Sequence, residues 1–136
     1  MALIRRLLAG KDPALPRLGL PFVDVRNVAA MHLAALDRPA SVGRRYLAAA
    51  GSMWLSDVAH VLGAAWPDRR IVTRTAPGLL VRLLALLDAD LRESASMLGE
   101  FRRLDSTPAR RDLEIDFVPV QTAVRDCAAA LVALGA

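Results

Sequence analysis

The side chains able to do chemistry are few in this 136-residue chain. It has one Cys, one Tyr and two His. The two histidines, His32 and His60, have no Cys or carboxylate beside them at a spacing that builds a metal site, and a single Cys excludes a multi-cysteine zinc site. Both read as structural. The serines stand at 41, 52, 56, 94, 96 and 106, none in a G-x-S-x-G elbow. Cys127 lies on an apolar helical stripe, where a thiol is packing material and not a low-pKa nucleophile. Asp88 and Asp90 diverge on a helix, and Asp112, Glu114 and Asp116 alternate as on a solvated edge, so no acid/base pair emerges. The glycines at 10, 19, 43, 51, 63, 78, 99 and 135 are too dispersed for G-x-G-x-x-G or a P-loop. These residues predict no catalytic, cofactor-binding or metal-binding group in the chain.

The charge pattern points the same way. The net charge is +4, and every cationic side chain is Arg except Lys11. The arginines are scattered, often in pairs such as Arg5-Arg6 and Arg102-Arg103, with no long basic block and no interleaved aromatic platform. That distribution argues against nucleic acid as a partner. Charged residues are 24% and apolar residues 54%, which suits a folded domain and excludes a disordered chain. The most apolar run, Leu79 to Leu91, is broken by Arg82, Asp88 and Asp90 and falls short of the roughly 20 residues a membrane span needs. With no disulfide framework and no recognisable signal peptide, the reading is a cytoplasmic, membrane-free protein.

The elements that must position these residues follow from periodicity. Leu3, Ile4, Leu7 and Leu8 mark a helix over 2–9 that Gly10 stops. Phe22 to Val25 read as a short strand. A helix follows, with Val28, Met31, His32, Ala35 and Leu36 on one face, Asp24 or Asn27 as its cap, and Pro39 as its end. Arg45 to Ala49 read as a second strand. Leu55, Val58, Ala59, Leu62, Ala65 and Trp66 form the clearest helical stripe, with Ser52 or Ser56 near its start and Pro67 after it. Arg70 to Thr75 form a third possible strand. Pro77 opens the helix of Leu79–Leu91, residues 93–104 contain a break at Gly99, and a short helix near 106–113 takes Asp105 or Ser106 as cap. The last helix opens at Pro119 and buries Val120, Ala123, Val124, Cys127, Ala128 and Leu131. The expected fold class is α/β, or α+β-like: one domain over residues 1–136, several helices and two to three short strands.

One segment carries more. Phe22-Val23-Asp24-Val25-Arg26-Asn27-Val28-Ala29-Ala30-Met31-His32-Leu33-Ala34-Ala35-Leu36 resembles the F-V-D-V-R-D-V-A-x-x-H-x-x-A-L segment of extended short-chain dehydrogenases/reductases. It is similar above all to the branch of dihydroflavonol reductases, aldehyde reductases and related NAD-dependent epimerase/dehydratase proteins. The stretches "LIRRLLAGKDPALPRLGLPFVDV", "GRRYLAAAGSMWLSDVAHVL" and "RRLDSTPARRDLEIDFVPVQTAVRDCAAALV" extend the likeness over nearly the whole chain. It covers only the C-terminal part of that family's longer chain.

The resemblance implies a substrate-binding lobe and the last part of a Rossmann-type reductase, with NAD(P) as the parent family's cofactor. It also implies what is missing. The family's glycine motif has no counterpart here. Its Tyr-x-x-x-Lys pair has none either, because Tyr46, the only Tyr, follows Lys11, the only Lys. Arg does not replace that Lys, being a rigid cation of another shape. Phe22, Asp24, Arg26, Asn27 and His32 are therefore expected to be architectural. Asn27 stands where the family has a second Asp; as an equally good cap it should cost little. Leu20 and Pro21 stand where epimerases of nucleotide sugars carry Arg-Asp, which favours a small carbonyl or flavonoid-like substrate for the parent. Three readings follow: a reductase fragment inactive alone, a self-associating binding module for a small molecule or protein, or one half of a split reductase whose nucleotide-binding half is another chain.

Overall fold

The computed structural model describes residues 2–79, 81 and 97–135. Its elements are α1 (Ala2–Ala9), β1 (Gly19–Phe22), α2 (Val25–Asp37), β2 (Gly51–Trp54), α3 (Leu55–Ala65), α4 (Thr107–Asp112) and α5 (Val120–Ala133), with a 3-10 turn at Pro39–Ser41. Helical backbone also begins at Gly78, where the Val81 N–H donates to the Pro77 carbonyl. The helix expected over Leu79–Leu91 lies largely outside the described residues. Among those described, the arrangement is helix-rich with one two-stranded antiparallel sheet, an α+β version of the expected class.

The helices form where their apolar spacing placed them. Leu7 and Leu8 of α1, Val58 and Leu62 of α3, and Val124, Ala128 and Leu131 of α5 pack into one core. Leu62 and Leu131 are wholly buried, and each such Leu contributes about 1.5–3 kcal/mol through lost apolar exposure. Gly10 ends α1 at φ +60°, and the Arg70 carbonyl sits against it so closely that a Cβ would stand 1.9 Å away. Only glycine fits there. A second core joins Met31 of α2 to Ala109, Leu113, Ile115 and Phe117.

The strands are displaced from their expected positions. β1 occupies Gly19–Phe22, so the strand expected over Phe22–Val25 is corrected by three residues. Val25 opens α2 and is exposed, because Asp24 caps the helix and turns the chain. β1 pairs with Gly51–Trp54, Gly19 opposite Trp54 and Phe22 opposite Gly51. The strand expected at Arg45–Ala49 takes no ladder, since β1 is already paired with the residues after it. The third strand reduces to a single bridge, Leu15 beside Thr75, held through Arg74 and Ala76. Ser52 lies in β2, and neither it nor Ser56 caps α3, which starts at Leu55 with Trp54 as its N-cap residue and no side-chain cap.

Candidate functional site

The residues singled out by the motif meet at the start of α2. Asp24, in extended conformation, caps the helix by accepting from the Arg26 N–H at 2.8 Å. The Arg26 guanidinium folds back to donate to both Asp24 oxygens, at 2.8 and 2.7 Å. It also reaches Asp126 on α5, tying together elements a hundred residues apart in sequence. The Arg26 hydrogen bonds hold the Asp24 carboxyl below the usual carboxylate range, against the opposing effect of burial. Arg26 is raised in turn by Asp24 first and Asp126 second. A carboxylate so engaged is ionised at neutral pH and has no proton to give, so it is an anchor and not a general acid.

Asn27 does something the sequence did not disclose. It is buried and is not the cap. Its Nδ2 donates to the Asp116 carbonyl at 2.8 Å, and its Oδ1 accepts from the Val118 N–H at 2.9 Å. The side-chain amide thus acts as one more backbone unit beside the extended segment that leads into α5. An aspartate cannot do both, because an ionised carboxylate has no donor. The expectation that Asn27 is an interchangeable cap is corrected on that ground. Phe22 packs on the α1–α3–α5 core. His32 does not lie on the apolar face: it is exposed, with Nδ1 2.8 Å from the Val28 carbonyl. The buried stripe runs through Asn27, Met31, Ala34 and Ala35, and Leu36 is exposed as well. His60 is likewise exposed, with Nδ1 2.7 Å from the Ser56 carbonyl.

Sequence reasoning missed a second constellation. Trp54 and Phe101 stack with ring centroids 4.9 Å apart at 55°. Arg17 lies 5.0 Å from the Trp54 ring centroid, and Arg103 lies 5.4 Å from that of Phe101. Phe101 reaches this place because residues 100–102 run beside β1: the Gly19 N–H donates to the Glu100 carbonyl and the Arg102 N–H to the Gly19 carbonyl. A Cβ on Gly19 would stand 2.4 Å from the Phe101 ring. Arg17, Trp54 and the Phe101–Arg103 pair are far apart in sequence, and no local signal announces them. Each cation–aromatic pair is worth about 0.5–1 kcal/mol at an exposed site.

The backbone can be tested for a nucleotide cradle. Gly10 and Gly19 are the glycines with no room for a Cβ, and what fills that space is the chain's own Arg70 carbonyl and Phe101 ring. Gly43, Gly63, Gly78, Gly99 and Gly135 have nothing near them. At Gly10 and Gly19 the space that a closely approaching ligand would need is taken by the chain itself. Among the described residues no three His, Cys, Asp or Glu side chains gather at one point, and no helix is long and apolar enough to cross a membrane.

Comparison with known proteins places the fold. No family model matches the chain, and no curated protein matches it in sequence. Solved structures do. Yeast methylglyoxal/isovaleraldehyde reductase Gre2, complexed with NADPH, aligns over 96% of this chain and 38% of its own, with 24% identity and a TM-score of 0.67. The gox2253 protein aligns over 98% of this chain and 43% of its own, with 23% identity and a TM-score of 0.77. Gre2 from Candida albicans, also with NADPH, aligns over 98% and 36%, with 21% identity and a TM-score of 0.68. The chain therefore has the fold of one part of these proteins and spans well under half of their length.

Proposed function

We propose that this chain is the C-terminal, substrate-side part of an NAD(P)-dependent reductase related to the extended short-chain dehydrogenases/reductases, and that alone it neither holds the dinucleotide nor reduces a carbonyl. The observation that carries the reading is the alignment of nearly the whole chain with just over a third to two fifths of reductases solved with NADPH. The α2 motif supports the dihydroflavonol-reductase-like branch, and Leu20 and Pro21 support a small carbonyl or flavonoid-like compound as the parent's substrate. In this reading the hydride donor and the tyrosine–lysine pair belong to the larger part. The residues of this chain hold the lobe: Asp24 and Arg26 fasten α2 to α5, and Asn27 fastens it to residues 116–118.

Calorimetric titration of the chain with NADPH and with NADH tests this. The expected result is no saturable binding up to about 1 mM, the weak end of the affinity scale. Saturable binding at low micromolar concentration would overturn it.

A further inference from the structure

Residues 100–102 run beside β1 on the side away from β2. The Gly19 N–H donates to the Glu100 carbonyl and the Arg102 N–H to the Gly19 carbonyl, so Glu100 and Arg102 use these groups toward β1. In a continued ladder the Arg102 carbonyl would accept from residue 21, but Pro21 has no N–H. The Ser52 hydroxyl, on β2 opposite Pro21, donates to that carbonyl instead. Alternate residues of a strand turn their N–H and C=O groups to opposite sides. Phe101 and Arg103 therefore turn theirs outward, and among the described residues none of these groups is hydrogen-bonded to another backbone group.

The side chains give this edge a sign. The Phe101 ring lies over Gly19, and the Arg103 guanidinium stands 5.4 Å from the ring centroid. A guanidinium laid face-on against a ring keeps its N–H edge, the part that fits a carboxylate. Arg103 is exposed and, among the described residues, has no acidic partner. Its neighbour Arg102 is paired with Glu100 at 3.2 Å.

We propose that the edge at Phe101–Arg103 docks an extended acidic segment of a partner protein, which adds to the sheet beyond residues 100–102. The backbone groups select a peptide: its N–H and C=O groups answer those of Phe101 and Arg103, whereas a phosphate has no donor for the two carbonyls. Arg103 selects the charge, because a carboxylate on the residue opposite it lies on the same face. A second copy of this chain does not suit the edge, since Arg102 and Arg103 would meet the same two cations. The site is independent of the reductase reading.

Calorimetry and amide hydrogen exchange on the whole chain test this, with acetyl-Glu-Val-Glu-Val-Glu-amide as the probe. Saturable binding below about 1 mM is expected. On binding, the amides of Phe101 and Arg103 should slow by at least about 10-fold, while that of Arg102, already bonded to Gly19, should change little. The peptide N-methylated at every residue keeps its charges and loses its donors, and should bind at least about 10-fold more weakly. The Gln-Val-Gln-Val-Gln analogue should bind about threefold more weakly. Arg103→Glu should reverse the preference, toward the Lys-Val-Lys-Val-Lys analogue.

Absence of saturation up to about 1 mM overturns the proposal. So does equal affinity for the N-methylated peptide or for inorganic phosphate, which would mean charge attraction without an added strand. Protection of the Phe101 and Arg103 amides in the chain alone, constant or rising with its concentration, would show the edge already covered, by the chain or by a second copy, and overturns it too. Equal affinity for the Gln analogue, or an unchanged preference in Arg103→Glu, overturns the acidic class. Should that variant fail to fold, the peptide comparisons on the parent chain decide.

Discussion

At the scale of single residues, the α2 motif is a set of fastenings. Asn27 makes the sharpest prediction. Replacing it with Asp, the residue of the resembling family, removes the donor to the Asp116 carbonyl and sets a charge against that oxygen. Asn27→Asp should destabilise the chain by about 1–3 kcal/mol in urea unfolding at pH 7. The deficit should fade as pH falls toward the free carboxyl value of about 3.9, because a carboxyl set against the Asp116 carbonyl keeps its proton more readily and, protonated, can donate again. Stability equal to the parent at pH 7 would contradict the bridge. Asp24 makes the second. Its pKa is lowered on folding, chiefly by the Arg26 hydrogen bonds, so its contribution is present above the unfolded value of about 3.9 and disappears as pH falls through the folded one. Asp24→Asn keeps a good cap and removes the charge. The gap between parent and variant should be largest near neutral pH and close in acid; a gap independent of pH would show that charge plays no part. Arg26 is well exposed, so the ion-pair portion of this effect is small. The motif was legible from the sequence, and so was the capping role of Asp24, which acts within two residues. The bridging role of Asn27 was not, because its partners lie about ninety positions away.

Elements separate along the same line. α1, α3 and α5 were readable because helical periodicity is written in consecutive residues. The same holds for the short α4, where Asp105 accepts from the Thr107 N–H and Pro108 sits in the first turn. The strands were misplaced by three to six residues because a ladder is chosen by its partner: β1 pairs with Gly51–Trp54 and leaves the more strand-like 45–49 unpaired. The face of α2 was misread for a related reason. Both of its sides carry apolar residues, and only the packing of Met31 decides which is inward. Two glycines show how an element end can be tested. Gly10→Ala meets both a left-handed backbone and the Arg70 carbonyl, and should cost upwards of about 2 kcal/mol. Gly43→Ala meets a φ of +73° but open space, and should cost about 1 kcal/mol. Equal urea midpoints for the two variants would deny that Gly10 is held by contact. In the core, Leu62→Ala should cost about 2–5 kcal/mol, whereas Leu36→Ala should stay within about 0.5 kcal/mol.

On the scale of the molecule, the dispersed glycines and the order of Tyr46 and Lys11 leave no dinucleotide motif in the sequence, and at Gly10 and Gly19 the space beside the backbone is taken by the chain itself. The Arg17–Trp54–Phe101–Arg103 stack explains part of the arginine content as packing on aromatic faces. What periodicity could not reveal is that Val25, Leu33 and Leu36 of α2 stay exposed, since exposure is a property of the assembled fold. The central claim is that the chain has the fold of a reductase part without the groups that run the reaction. It is tested most directly by following the absorbance of NADPH with methylglyoxal and the purified chain. The account predicts a rate indistinguishable from buffer, unchanged in Tyr46→Phe and Lys11→Met. Steady NADPH consumption that either substitution abolishes would contradict it.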